Sequence, residues 1–313
     1  MIYDLIIIGI GPAGLTASIY ASRYKLSHLV IGQKLGGAIT LASNVENFPG
    51  FNSISGFELG EKMLEQVKYL GAEVVSKTVG RVEKLNDHFK VITEDNTEYE
   101  AKTLIVATGT ERRKLNVPGE QEYLGKGVSY CTTCDAPFFR GKTVALVGGS
   151  DAAVSGAVHA AQFAQKVYII YRGEALRAEP VWLEDAKKDP KIVQILKTNL
   201  KEIKGDGVKI TGVVLDSPYQ GSDQLSLEGV FIEIGGVPGT SLLIPLGVEI
   251  DKNGFVKVNE WMETNIPGLF AAGDFTTSSY VLQQAISACA QGATAAAAAF
   301  KCLKGQKAPQ ILG

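Results

Sequence analysis

Residues 3–32 read YDLIIIGIGPAGLTASIYASRYKLSHLVIG, and this stretch decides the fold. Leu5–Ile8 is an apolar run suited to a strand covered on both faces. Gly9, Gly11 and Gly14 follow in G-x-G-x-x-G spacing, with Pro12 and Ala13 opening a helix of small residues. A second apolar strand closes the segment before Gly32. In such a unit the first glycine permits the tight turn and the second lets the backbone approach a pyrophosphate. The third lets helix and strand pack closely, and the helix N-terminus faces the phosphates. A turn that merely needs glycine is the competing reading, and the strand and helix around the motif favour a dinucleotide site. The acid expected at the end of the second strand is absent, since Ile31 is followed by Gly32 and Gln33. Ribose contacts must therefore differ from the simple fingerprint.

Residues 142–172, KTVALVGGSDAAVSGAVHAAQFAQKVYIIYR, repeat the pattern. Here Gly148 and Gly149 are followed by Ser150, which adds a Cβ where backbone and phosphate should nearly touch. The nucleotide signal is weaker, and a Rossmann-type scaffold without ligand competes with it. Residues 72–113 read as strands and turns, and VKITGVVLDS and GVFIEIGGVPGT echo them downstream. GLFAAGD reads as a short strand ending in Gly273 and Asp274 with a helix after it. Asp274 would bind ribose hydroxyls, cap that helix, or both.

The chain has 313 residues, enough for two domains, with 20% charged residues and a net charge of −2. No long Lys/Arg run favours nucleic acid or an anionic membrane. The apolar N-terminus carries Asp4 and no basic n-region, so it reads as a strand rather than a signal peptide. The alanine run 295–299 is too short to span a bilayer. A cytoplasmic chain is expected, and a C-x-x-C there is catalytic or metal-binding more often than structural. Residues 130–139, YCTTCDAPFF, hold such a pair: Cys131 and Cys134, with Asp135 beside them. Redox disulfide, half a zinc site and two inert thiols are the three readings.

Several segments in order resemble the low-molecular-weight thioredoxin reductase family: GIGPAGLTASIYASR, LGGAITLASNVENFPGF, LIVATGTERRKLNVPGE, YCTTCDAPFFRGKTVALVGG, and NIPGLFAAGDFTT followed by QQA. The resemblance covers nearly the whole chain. It implies an α/β fold of two Rossmann-like three-layer domains. An FAD domain from residues 1–116 and 244–313 would carry an inserted, smaller NAD(P)H-type domain, 117–243, which holds the C-x-x-C. FAD would lie along Gly9, Gly11, Pro12, Ala13 and Gly14, then pass Gly32, Gln33, Gly36, Gly37 and Asn47. Thr108, Gly109, Gly273, Asp274, Gln283, Gln284 and Ala285 would close its site. By the same resemblance Cys134 lies nearest the flavin, Cys131 attacks the disulfide of thioredoxin or a thioredoxin-like protein, and Asp135 is the acid–base group. A homodimer is the family expectation. A zinc site needs further ligands, and Cys289, Cys302, His28, His88 and His159 are scattered singly. No metal is therefore expected. Cys289 and Cys302 read as packing residues, His28 and His88 as solvated, and His159 as a core residue.

The departures from the family cluster in the inserted domain. Where the family shows G-G-G-[DN]-[ST]-A and H-R-R-x-x-x-R, this chain has GGSDAA and YRGEALR. Gly148, Gly149, Ser150, Arg172 and Arg177 remain as the candidate nicotinamide-nucleotide set. Tyr171, Gly173 and Gly236 stand where the family has histidine, arginine and histidine. The donor could thus be NADPH, NADH, reduced ferredoxin or a second flavin. Arg112, Arg113 and Lys114 read as a solvated basic run that an acidic ferredoxin could use.

Overall fold

A computed structural model describes residues 1–305. The expected segment 244–313 therefore runs past the described residues at 306–313. The chain forms two compact units, Met1–Glu111 with Val237 onward, and Arg112–Gly236.

The first unit opens with β1 (Ile2–Ile8), α1 (Pro12–Arg23) and β2 (His28–Ile31), followed by α2 (Gly56–Tyr69) and β3 (Glu73–Val75). A meander of β4 (Val79–Lys84), β5 (Phe89–Thr93) and β6 (Glu98–Val106) follows. Strands β3-β2-β1-β6 lie parallel in that order, while β5 and β4 extend antiparallel from the first half of β6. Leu5–Ile8 and Leu29–Ile31 are buried, as strands covered on both faces require. Ser55 caps α2 by accepting the Glu58 N–H.

Strand β7 (Thr110–Arg112) leads into the second unit. There β8 (Val128–Ser129), α3 (Thr132–Asp135), β9 (Thr143–Val147), α4 (Asp151–Ala161), β10 (Lys166–Tyr171), α5 (Pro180–Lys188) and β11 (Ile192–Leu196) precede a second meander. That meander is β12 (Leu200–Gly205), β13 (Ile210–Tyr219) and β14 (Ser222–Ser226), and β15 (Gly229–Ile232) follows it. The first four strands of the parallel order β11-β10-β9-β15-β8 match β3-β2-β1-β6 in position. In both sheets the order reverses beside the first strand, the switch point where α/β folds open a crevice at the strands' carboxyl ends.

The chain returns through β16 (Gly236–Pro238) and adds β17 (Leu269–Ala271) parallel to β6 and α6 (Ala285–Lys304) against α1. The alanines of α6 allow that approach, and a Cβ at Gly292 would overlap the Ala13 carbonyl. Ala295, Ala296, Ala298 and Ala299 are all buried, which explains the alanine run.

Four expectations are corrected. The helix after GLFAAGD does not begin at Asp274: only a 3₁₀ turn, Thr277–Ser279, intervenes before α6, whose N-cap is Gln284 in a reciprocal box with Ser287. His28 is buried, not solvated; Ser18 Oγ and the Leu26 carbonyl bracket its ring at 2.9 and 3.1 Å, and burial pushes its pKa down. Cys302 is exposed, whereas Cys289 packs against the core as expected. His88 is half-buried and bonded to Asp87. Among the described residues no helix is long and apolar enough to cross a membrane.

Candidate active site

In the first unit the expected cofactor residues converge on the carboxyl ends of the parallel strands. Gly9 follows β1 with φ +118°, and a Cβ there would overlap the Ala107 carbonyl. A Cβ at Gly14 would overlap the Gly9 carbonyl. The protein itself therefore demands both glycines. Gly11 differs. It is the N-cap of α1 at φ −84°, open to any residue, and a Cβ would meet nothing closer than Gly36 O at 3.8 Å. No internal contact requires glycine at this position, and the backbone here is open to close approach.

Around that space the turn after β2 brings Gly32, Gly36 and Gly37 back to the glycine loop, with Gly36 N–H donating to Ile10 O at 2.9 Å. Thr108 and Gly109 follow β6, and Thr108 Oγ donates to Gly239 O. Gly273 N–H donates to Gln291 Oε1 at 2.6 Å, and Asp274 follows it just past the end of β17. Burial alone pushes the Asp274 carboxyl up to about 6. Asn47 reaches Gln284 at 3.4 Å across 237 positions of sequence, and Gln283 donates to Asp274 O. Pro12 and Ala285 hold the first helical positions of α1 and α6. Gln33 is turned toward Thr78.

The second unit holds the redox turn. Cys131 and Cys134 are disulfide-bonded, and Cys131 is the N-cap of the single-turn α3. The Cys134 N–H points at Cys131 Sγ from 3.2 Å, a placement that would stabilise a thiolate on Cys131. Cys134 is exposed and Cys131 half-buried. Asp135 follows on the same turn.

Two carboxylates missed in the sequence flank Cys131. Glu120, 1% exposed, accepts the Leu115 and Asn116 N–H groups at 2.8 and 2.6 Å and the Tyr130 hydroxyl. Glu233, 3% exposed, accepts Thr132 Oγ at 3.1 Å and pairs with Arg112 at 2.5 Å. Burial raises the Glu233 pKa, while Arg112 and Thr132 pull it down. The signal for Glu233 was a single charge inside the apolar run GVFIEIG. Arg112 is thus drawn inward, and only Arg113 and Lys114 of the expected solvated run are exposed.

The candidate nicotinamide turn is a backbone copy of the first. Gly148, at φ +146°, lies against the Glu233 carbonyl as Gly9 lies against Ala107. Ser150 caps α4 at φ −98°, ψ −176°, close to the −84°, −176° of Gly11. The packing pair is exchanged: in the first unit Ile10 lies over Gly32, and here Tyr171 lies over Gly149. A Cβ at Gly149 would lie 2.6 Å from the Tyr171 ring, and one at Gly173 would lie 2.5 Å from it. Arg177 N–H closes onto Gly149 O at 2.6 Å, and its guanidinium stands 5.9 Å from the Tyr171 ring. Arg172 and Arg177 are exposed.

A family model described as pyridine nucleotide-disulphide oxidoreductase matches residues 3–292. The chain is 42% identical over 298 residues to a thioredoxin reductase of Listeria monocytogenes, covering 94% of this chain and 92% of the relative. The chain belongs to this family, in its low-molecular-weight thioredoxin reductase branch. The solved thioredoxin reductase of Lactococcus lactis aligns with a TM-score of 0.92 at 38% identity, over 97% of this chain and all (100%) of that one. A ferredoxin-flavin thioredoxin reductase of Clostridium acetobutylicum aligns with a TM-score of 0.53 at 34% identity, over 97% and 99%. The family cofactor is FAD. The chain fits it on its own geometry: the open approach at Gly11 suits a pyrophosphate, and the buried carboxyl of Asp274 suits sugar hydroxyls. In this chain the disulfide turn sits in the second unit.

Proposed function

We propose that the chain is an FAD-dependent thioredoxin-disulfide reductase, with thioredoxin or a thioredoxin-like protein as its substrate. The observation that carries this reading is the C-x-x-C disulfide on a capped turn, with the first sulfur already facing a backbone N–H. Bound FAD supplies the electron pair. Two electrons and two protons convert the Cys131–Cys134 disulfide to two thiols. Cys131, as thiolate, attacks one sulfur of the partner disulfide and releases the other as a thiol. Cys134 then attacks Cys131 in the mixed disulfide, which re-forms the internal disulfide and frees the reduced partner. Asp135, on the same turn, is the proposed carrier of the proton that this exchange moves. Replacing Cys134 by Ser is expected to abolish turnover with FAD still bound. Turnover at the wild-type rate in that variant would overturn the scheme.

For the donor, the reading best supported is reduced ferredoxin, two molecules giving one electron each. Its support is local. Tyr171 covers Gly149, and Ser150 puts a side chain where the first unit leaves open space. NADPH is the second reading, favoured by exposed Arg172 and Arg177, whose guanidinium groups suit a 2′-phosphate. Anaerobic bleaching of the flavin by NADPH, NADH or reduced ferredoxin, each added alone, separates them. Bleaching by ferredoxin only is expected. Bleaching by NADPH within a catalytic cycle time would overturn the ferredoxin reading and leave the reductase reading intact.

A further inference from the structure

The Glu233 side chain has no counterpart in the first unit. Ala107 holds the equivalent place there, its carbonyl against Gly9 as the Glu233 carbonyl is against Gly148. A nucleotide turn of this shape therefore needs no carboxylate at that position. The Glu233 carboxylate points instead at the redox turn: one oxygen accepts Thr132 Oγ, next to Cys131, and the other meets Arg112 at 2.5 Å. Thr132 is seated by α4, because Gly156 leaves room for it; a Cβ there would stand 3.2 Å from Thr132 Oγ. The other charged groups of the turn are Asp135 on α3 and Glu120 behind Tyr130, the latter satisfied by two backbone N–H groups and a phenol rather than by a cation.

We infer that Glu233 and Arg112 are positioning residues, an opposed-charge pair beside the redox turn that sets the reduction potential of Cys131–Cys134. The inference rests on this pair being the redox disulfide. Reduction creates thiolate character on sulfur, and a charge held in a poorly hydrated position acts on a thiolate strongly. Paired, the two charges nearly cancel. Freed of Glu233, the Arg112 cation stabilises the reduced form. Freed of Arg112, the carboxylate disfavours it.

The test is the equilibrium of the holoenzyme with dithiothreitol at defined ratios of its dithiol and cyclic disulfide forms at pH 8, read by thiol alkylation and mass. Glu233→Gln is expected to shift the equilibrium toward the Cys131/Cys134 dithiol three- to tenfold, where tenfold corresponds to about 30 mV. Arg112→Gln is expected to shift it at least twofold the other way, and the double variant to return within twofold of wild type. A merely structural role would move both single variants in one direction, and that result overturns the inference. Thr132→Val keeps both charges and loses only the hydrogen bond. Should Glu233→Gln fail to fold, Arg112→Gln and Thr132→Val decide the matter. A shift in Thr132→Val as large as in Arg112→Gln would overturn the inference. A disulfide that no ratio of dithiothreitol opens reversibly would overturn the redox reading itself, and this inference with it.

Discussion

The three glycines of the first nucleotide turn should fail in different ways when each is replaced by alanine. At Gly9 the backbone is at φ +118°, and a Cβ would collide with the Ala107 carbonyl. Backbone strain of about 1–2 kcal/mol adds to an overpacking cost of about 1–3 kcal/mol. At Gly14 the collision with the Gly9 carbonyl costs a similar roughly 1–3 kcal/mol by overpacking alone. Both variants should lose stability with or without FAD. Gly11→Ala should not: φ is −84° and the nearest atom would be 3.8 Å away. Alanine is a poorer N-cap than glycine, so a cost of about 0.5–1 kcal/mol remains. Its effect should fall on the cofactor instead, because a methyl would stand in the open approach that suits a pyrophosphate at the start of α1. The loss of one or two charge-assisted hydrogen bonds, about 2–3 kcal/mol, corresponds to a 30- to 150-fold weaker Kd. Urea unfolding of the apoprotein, together with FAD titration followed by flavin fluorescence, measures both quantities. Gly11→Ala with wild-type FAD affinity would refute the reading that the open approach at Gly11 serves the cofactor.

Asp274→Asn tests the buried carboxyl. Its pKa rises from 3.8 to about 6 on folding, so the folded apoprotein binds the extra proton between those values and its stability falls as pH rises through them. The fall is up to about 3 kcal/mol, complete above pH 6, and urea titrations at pH 4 and 8 should show it in wild type and not in the variant. Glu120→Ala strands two backbone N–H groups and a phenol in a site 1% exposed, and chemical denaturation should record a loss of about 2–5 kcal/mol. Tyr171→Ala uncovers Gly149 and should raise the rate of flavin bleaching by NADPH while leaving bleaching by ferredoxin unchanged. Equal rates before and after would show that the ring is no barrier. Burial lowers the His28 pKa, so stability falls as pH drops below the ordinary 6.5; His28→Gln should flatten that slope.

The readable parts of the sequence were those where backbone geometry constrains residue type over a contiguous stretch. Gly9, Gly11 and Gly14 between two apolar strands specified a βαβ unit, and Gly148 with its flanking strands specified a second. Cys131, Cys134 and Asp135 lie within five positions of each other, so their proximity needed no tertiary knowledge. What stayed hidden depends on partners distant in sequence. Nothing local to Arg112 shows that it reaches Glu233, 121 positions away, and a basic run reads as solvated by default. His28 looked like a surface residue because its partner, Ser18, lies on the facing helix. Asp274 looked like a helix cap because the sequence does not reveal that the next helix waits until Ala285.

The unequal turns also bear on how the chain survives without its cofactor. In the second unit Tyr171 packs over Gly149, and Ser150 adds a side chain where the first unit has Gly11. In the first unit the space over Gly11 is left for a ligand, and ligand binding adds RT ln(1 + [FAD]/Kd) to its stability, about 2.7 kcal/mol at a hundredfold excess over Kd. Flavin scarcity would therefore withdraw that stability from the first unit and leave it more open to proteases. Cleavage would begin in the unit that has lost its ligand, and flavin supply would set the lifetime of the whole chain.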